Sequence, residues 1–149
     1  MTPKVSQRLL DIVNSLPLKK GSRVLEIGCG PGAMAREIVK RIGNGHILAI
    51  DRSANAIEQA VSGSQIEIKA GTLSFKQVAI EKFELEKNEK KYDIAVAIRV
   101  GALDGRHPKI ERQSLINIAK AVTKSGKLFI DGGNPLKEIP LDEYRNARR

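Results

Sequence analysis

Apolar residues recur along the chain with two periods, and the periods alternate. Short, nearly continuous apolar runs are typical of strands covered on both faces, whereas apolar residues spaced three and four apart mark one face of a helix. The predicted strands are residues 24–27, 46–50, 65–70, 92–100 and 127–131. The predicted helices are residues 3–16, 33–42, 53–61, 72–86 and 108–122. Because strands alternate with helices, we expect parallel strands joined by right-handed crossovers, as in a doubly wound α/β sheet.

The first predicted strand leads directly into a glycine-rich turn. The strand is apolar except for Glu26, and Gly28, Gly30 and Gly32 follow it at alternate positions. Glycine adopts backbone dihedrals that a Cβ forbids, so the main chain of this turn can approach a ligand closely. The helix predicted for residues 33–42 begins next, so its free N–H groups and partial positive charge face the turn. This combination predicts the nucleotide-binding corner of a doubly wound sheet.

The pattern Glu26-x-Gly28-x-Gly30-x-Gly32 resembles the first motif of class I S-adenosylmethionine-dependent methyltransferases. The resemblance extends loosely over residues 21–131 and implies a Rossmann-like sheet with S-adenosylmethionine as cofactor. Because this chain is too short for the seven strands usual in the family, we expect about five strands in the order 3-2-1-4-5. A dinucleotide fingerprint, Gly-x-Gly-x-x-Gly, would place its third glycine where this chain has Ala33. Alanine is allowed there, so an NAD-binding module stays an alternative, although Glu26 and Gly32 do not fit it.

The resemblance also implies how the turn would hold this cofactor. Gly28, Gly30 and Gly32 cradle the methionine part, and the following helix N-terminus favours its carboxylate. Glu26 is expected to meet the methionine ammonium, directly or through water, because an unpaired carboxylate is costly to bury. The alternative is that Glu26 only ties down neighbouring backbone N–H groups. Cys29, within the turn, is expected to be a small filler rather than a nucleophile.

A second acid follows the second predicted strand. Asp51 comes 19 residues after Gly32, where doubly wound folds place a carboxylate that binds ribose hydroxyls. Arg52 would then flank the adenine. NAD enzymes use an acid at the same place, so Asp51 does not discriminate between the two cofactors. It could also cap the helix that follows.

Two further segments are expected to contact the cofactor by their place after predicted strands. Gly71, Thr72 and Leu73 follow the third predicted strand, where the family commonly has an acid that accepts from the adenine amino group. Thr72 stands in place of that acid. Ile98 and Arg99, at the end of the fourth strand, are expected to reach the cofactor and the mouth of the acceptor site.

No catalytic residue can be assigned from the sequence. Asp104, Arg106 and His107 crowd the expected acceptor side, where a general base could stand. A histidine beside Pro108 is, however, more often the start of a helix. His46 lies at the far end of the sheet and is expected to be inert. No spacing suits a metal site, and the fourth strand lacks the Asn/Asp-Pro-Pro-aromatic motif of amino-directed nucleic-acid methyltransferases.

Length and composition place the chain in a broad class. Its 149 residues predict one domain over residues 1–149. The single cysteine cannot form an internal disulfide, and no apolar stretch approaches the ~20 residues that span a bilayer. We therefore expect a soluble cytoplasmic protein without a membrane partner. The net charge of +9 suits either RNA or a lysine-rich, well-solvated surface.

The C-terminal segment is short for the family. Only 18 residues follow Asp131, so we expect an irregular tail over residues 132–149 in place of the usual final helix and antiparallel pair. The fifth strand would then be an exposed edge, covered by the tail or by a second copy in a homodimer. The expected activity is methyl transfer to a small molecule. RNA methylation and a non-catalytic, cofactor-binding sensor or interaction domain remain alternatives.

Overall fold

The computed structural model describes residues 5–147, in which strands and helices alternate. The helices are α1 (Gln7–Ser15), α2 (Ala33–Ile42), α3 (Ala54–Ser62), α4 (Gln65–Lys69) and α5 (Pro108–Ala121). The strands are β1 (Arg23–Ile27), β2 (His46–Asp51), β3 (Leu73–Gln77), β4 (Tyr92–Ala97), β5 (Val122–Asp131) and β6 (Leu136–Ile139). Short 3-10 turns cover Ile80–Lys82, Gly101–Leu103 and Asp142–Tyr144. None of the helices in this part of the chain is long and apolar enough to cross a membrane.

All six strands form one sheet in the order β3-β2-β1-β4-β5-β6. The first five are parallel, which confirms the doubly wound class and the expected order 3-2-1-4-5. In the register, Ile27 lies opposite both Ile50 and Ala97, so β1, β2 and β4 end side by side. The segments that follow these strands therefore meet at one edge of the sheet, the carboxyl edge.

The two faces of the sheet carry separate apolar cores, because successive residues of a strand point to opposite faces. Leu25 and Ile27 pack with α5 on one face. Val24 packs with α1 and α2 on the other face, where Ile12 and Ile38 are also buried. Glu26 shares the parity of Val24, so its carboxyl group lies on the α1 and α2 side of the sheet.

The tail differs from the expected irregular path because one more strand fits. β6 pairs antiparallel with β5 from Leu128↔Ile139 to Asp131↔Leu136. A tight turn makes this possible, since a Cβ at Gly133 would collide with the backbone of Leu136. The prediction that the tail covers the β5 edge is confirmed, and the prediction that no antiparallel strand follows β5 is wrong. β6 is itself short, with Lys137 and Glu138 exposed, features that discourage further strand pairing.

The third strand is not where the alternation of residues 65–70 placed it. Those residues contain α4, and Ile66, which a strand would have buried, is 82% exposed. The strand is β3, and it pairs with β2 from Ile47↔Leu73 to Asp51↔Gln77. The helix predicted for residues 72–86 is therefore also wrong. β3 and a short 3-10 turn take its place.

The remaining boundaries differ by a few residues. α1 begins at Gln7 behind Ser6, whose Oγ accepts the Leu9 N–H at 3.2 Å. The first residues of the predicted helix 3–16 lie outside the described chain. Ser53 caps α3 by accepting the Ala56 N–H at 3.1 Å. β4 ends before residues 98–100 because Arg99 has a left-handed backbone, with φ of 57°.

Candidate functional site

Three cavities surround the carboxyl edge of the sheet. The first, of about 500 Å³, lies over the ends of β2 and β3 and beside the loop after β4. The second, of about 280 Å³, lies between the glycine turn and α1. The third, of about 620 Å³, lies between the loop after β4 and the pair β5 and β6. Gly28 lines the first two cavities, and Arg99 lines all three, so these residues stand where the cavities meet.

The glycine turn forms the wall between the first and second cavities. The N–H groups of Gly28 and Cys29 both donate to the Ile50 carbonyl, at 2.8 and 3.0 Å, which fixes the turn to the end of β2. Gly28 has φ of 73°, and a Cβ there would lie 2.8 Å from Val100 Cγ2. Gly32, with φ of 91°, is the N-cap residue of α2, and a Cβ there would lie 2.9 Å from Arg36 Nη1. Both positions therefore require glycine.

Asp51 bridges the glycine turn and the start of α3. Its Oδ2 accepts the Gly30 N–H at 2.9 Å, and its Oδ1 accepts the Ser53 N–H at 2.9 Å. The same carboxylate lines the first cavity. Because each carboxylate oxygen has a second lone pair, Asp51 can brace the backbone and still accept hydrogen bonds from a ligand.

Glu26 is buried without a partner for one oxygen. The residue is 2% exposed and lines the second cavity. Its Oε1 has no hydrogen-bond partner among the described residues. Burial and the nearby Asp51 raise the pKa of Glu26 to about 8, although Arg36 opposes the shift. The unpaired oxygen does not fit the alternative that Glu26 ties down backbone N–H groups, and it suits a cationic ligand group instead.

Arg36 supports the glycine turn from behind, and no pattern in the sequence distinguished it from the other cations of its helix. Its Nη1 donates to the Pro31 carbonyl at 3.0 Å and to Ser64 Oγ at 2.9 Å. Ser64 is fully buried. The guanidinium therefore joins the glycine turn to the segment between α3 and α4.

Four other predicted residues also lie at the carboxyl edge. Arg52 lines the first cavity, Ile98 and Cys29 line the second, and Arg99 lines all three. Burial, together with the neighbouring Glu26, raises the pKa of Cys29 to about 12. The thiol therefore stays protonated near neutral pH, which fits the small-filler interpretation rather than a nucleophile.

Gly71, Thr72 and Leu73 lie at the opposite edge of the sheet, so their assignment to the cofactor site is wrong. Gly71 O is hydrogen-bonded to His46 Nδ1 at 2.8 Å, and Thr72 Oγ1 donates to the Glu67 carbonyl at 3.3 Å. Leu73 begins β3 and is 1% exposed. The error follows from the misplaced third strand, because these residues precede the strand instead of following it.

The segment that does follow β3 lines the first cavity. It comprises Val78, Ala79, Ile80 and Glu81. Glu81 and Asp51 are the carboxylates of that cavity's lining. The apolar alternation of residues 73–77 was the signal that could have located this segment.

The groups considered as a general base are divided between two cavities. His107 lines the first cavity, Asp104 lines the third, and Arg106 lines both. Arg106 Nε lies 2.7 Å from Asp104 Oδ2, and hydrogen bonds from Arg106 hold the pKa of Asp104 below its usual value. Within residues 5–147, no cluster of His, Cys, Asp and Glu side chains could hold a metal ion.

Comparison with known proteins gives a consistent assignment. Residues 18–147 match a family model described as a methyltransferase domain. An O-methyltransferase of Aspergillus nomiae is 28% identical over 144 residues, which cover 93% of this chain and 58% of that protein. A ribosomal protein L11 methyltransferase of Thermotoga neapolitana is 42% identical over 48 residues, or 32% of this chain and 18% of that protein.

Solved structures share the fold. An S-adenosylmethionine-dependent methyltransferase of Thiobacillus denitrificans, in complex with S-adenosylhomocysteine, superposes with a TM-score of 0.67 at 22% identity. That match covers 87% of this chain and 49% of that protein. The chain thus spans about half the length of the Aspergillus nomiae and Thiobacillus denitrificans proteins.

Proposed function

The chain belongs to the methyltransferase-domain family, and we propose that it binds S-adenosylmethionine and transfers the methyl group to a small acceptor. The observation that carries this proposal is the unpaired Glu26 Oε1, buried beside the glycine turn. A buried carboxyl group with no partner favours a ligand with a cationic hydrogen-bond donor. The methionine ammonium is such a group.

The residues of the first two cavities fit the parts of this cofactor. Glu26 would accept from the ammonium, and the N-terminus of α2 would favour the carboxylate. Asp51 would accept from the ribose hydroxyls with the lone pairs left after binding Gly30 and Ser53. Gly28 lines both cavities and leaves room for a ligand to pass between them.

The adenine would then lie in the first cavity. Val78 and Ile80 offer apolar contacts there, and Arg52 would flank the ring. We assign to Glu81 the role expected of an acid after the third strand, that of accepting from the adenine amino group. Ile98 and Cys29 would contact the methionine part in the second cavity.

The chemistry requires little of the protein beyond alignment. The sulfonium supplies an activated methyl group, which passes to a nucleophile as the sulfur–carbon bond breaks. The chain's contribution is to fix the cofactor and to hold an acceptor in line with that bond. The loop after β4 is suited to this role, since Arg99 borders all three of the cavities described above.

Calorimetry tests the cofactor assignment. We expect S-adenosylhomocysteine to bind the wild-type protein, and NADH not to bind. Glu26→Ala should weaken the binding of S-adenosylhomocysteine. The control Glu58→Gln, which replaces an exposed acid on α3, should leave this binding unchanged. Binding of NADH without S-adenosylhomocysteine would instead support the dinucleotide alternative.

Methyl transfer itself is tested with S-adenosylmethionine carrying a tritiated methyl group. Label in a small-molecule fraction supports the proposed activity, and the size of the third cavity favours that outcome. Label that RNase removes would indicate the RNA alternative, which rests on the net charge of +9. Cofactor binding without any labelled product would indicate a sensor domain.

A further inference from the structure

The third cavity is not needed to hold the cofactor, yet it opens beside the other two. Its walls combine apolar side chains with charged ones. The apolar residues are Ala97, Val100, Leu103, Ile130 and Ile139. The charged residues are Arg99, Asp104, Arg106, Glu111, Asp131 and Lys137. Its volume of about 620 Å³ suits a small organic molecule.

Half of these charges already have partners. Arg106 is paired with Asp104 at 2.7 Å. Asp131 accepts the Arg99 backbone N–H at 3.1 Å with Oδ1, and its Oδ2 lies 3.9 Å from Arg8 Nη2. The charges of Arg106 and Asp104 balance each other, and the hydrogen bond from the Arg99 N–H to Asp131 holds the loop after β4 against the end of β5.

Two cationic side chains of this cavity are uncommitted. The guanidinium of Arg99 and the ammonium of Lys137 have no hydrogen bond or ion pair with any residue between 5 and 147. Lys137 lies opposite Ile130 in the β5–β6 pairing. The backbone N–H of Arg99 donates a hydrogen bond to Asp131, which follows Ile130 in β5. The two cations therefore flank the same end of β5. Glu111, on α5, is the one carboxylate of the lining that has no partner within the cavity.

We propose that the third cavity binds the methyl acceptor, and that the acceptor is a small organic carboxylate anchored by Lys137 and Arg99. This inference rests on the proposed function. The apolar body of the acceptor would pack against Leu103, Ile130 and Ile139. Its reactive end would reach the cofactor where Arg99 and Val100 border both the first and the third cavity.

The strand that makes this site is β6, which supplies Lys137 and Ile139. Lys137 lines only the third cavity, whereas Arg99 lines all three. A variant at Lys137 should therefore change the affinity for the acceptor alone. A variant at Arg99 would change the affinities for the acceptor and the cofactor together.

The test uses benzoate and benzamide as probes, which match in shape and differ in charge. Saturation-transfer NMR on the protein loaded with S-adenosylhomocysteine should show millimolar binding of benzoate and much weaker binding of benzamide. Lys137→Gln should lower the affinity for benzoate about tenfold, because one charge-assisted hydrogen bond is lost. The matched control, Lys124→Gln, removes an exposed lysine at the other end of β5 and should leave benzoate affinity unchanged.

Several outcomes would overturn the inference. They are no benzoate binding, equal binding of benzamide, or no effect of Lys137→Gln. In each case, S-adenosylhomocysteine binding measured on the same samples decides whether the proposed function also fails. Lys137→Gln should retain wild-type affinity for S-adenosylhomocysteine, which also shows that the variant is folded.

Discussion

Asp51 Oδ2 accepts the backbone N–H of Gly30 at 2.9 Å, so the acid at the end of β2 holds the glycine turn at the end of β1. The other oxygen holds Ser53, which caps α3. The carboxylate proposed to bind the ribose therefore also shapes the turn proposed to bind the methionine. A ligand role and a structural role coincide in this side chain.

Replacing Asp51 should consequently affect both binding and stability. Asp51→Ala removes two charge-assisted hydrogen bonds to backbone, and we expect a loss of about 2 kcal/mol in the free energy of unfolding. S-adenosylhomocysteine affinity should fall about a hundredfold. Urea unfolding and calorimetry measure the two effects. Glu58→Gln should change neither, and a stable variant with unchanged affinity would refute the role of Asp51.

Stability should depend on pH through Glu26. Its pKa is about 8 in the folded protein, against 4.5 for an unperturbed glutamate, so folding favours the protonated form. The stabilising contribution is full below pH 4.5 and is lost as pH rises through 8. Between about pH 5 and 8.5, the wild type should lose on the order of 3 kcal/mol more stability than Glu26→Gln. Urea unfolding at both pH values checks this, and parallel profiles would contradict it.

Cofactor affinity should show the opposite trend with pH. An ammonium beside Glu26 requires the ionised carboxyl group, which must lose its proton on binding. The affinity for S-adenosylhomocysteine should therefore rise by up to about tenfold per pH unit from about pH 6 and level off near 8. Calorimetry in buffers of different ionisation enthalpy should detect the released proton. Glu26→Gln should bind weakly, with a flat profile and no proton release.

The sequence predicted the backbone of the candidate site wherever local pattern determined it. The glycine spacing located the turn, and the buried position of Glu26 and the place of Asp51 followed from their strands. β3 was misplaced although residues 73–77 also alternate, because local pattern alone does not choose between two neighbouring candidate strands. Residues 65–70 alternate like a strand, and the pairing of Leu73 with Ile47 depends on a distant segment. The short β6 was missed for the same reason, since it depends on pairing with β5 and on the packing of Leu136 and Ile139 against the two cores.

Two glycines with left-handed backbones test the corrected assignment. Gly28 has φ of 73° and Gly71 has φ of 81°. An alanine at either position carries backbone strain of about 1 kcal/mol. At Gly28 the Cβ would also press on Val100 Cγ2 beside the proposed cofactor, whereas at Gly71 nothing lies within 4 Å.

We therefore expect Gly28→Ala to lower the affinity for S-adenosylhomocysteine at least about tenfold, which corresponds to about 1.4 kcal/mol of binding free energy. Gly71→Ala should retain wild-type affinity, because it lies at the opposite edge of the sheet. Calorimetry on both variants measures the difference. A comparable loss in Gly71→Ala would return that residue to the binding site.

The β6 strand should keep the protein monomeric by covering the β5 edge. A chain shortened to residues 1–131 would expose the unpaired backbone groups of Leu128 to Asp131, which invite pairing with a second copy. Light scattering should show that this chain associates, while the full chain stays monomeric at the same concentration. A chain of residues 1–140 is the control. It keeps β6 and should stay monomeric, although losing the buried Leu141 should cost about 2 kcal/mol. A monomeric 1–131 chain, or a full chain that dimerises, would show that β6 does not protect this edge.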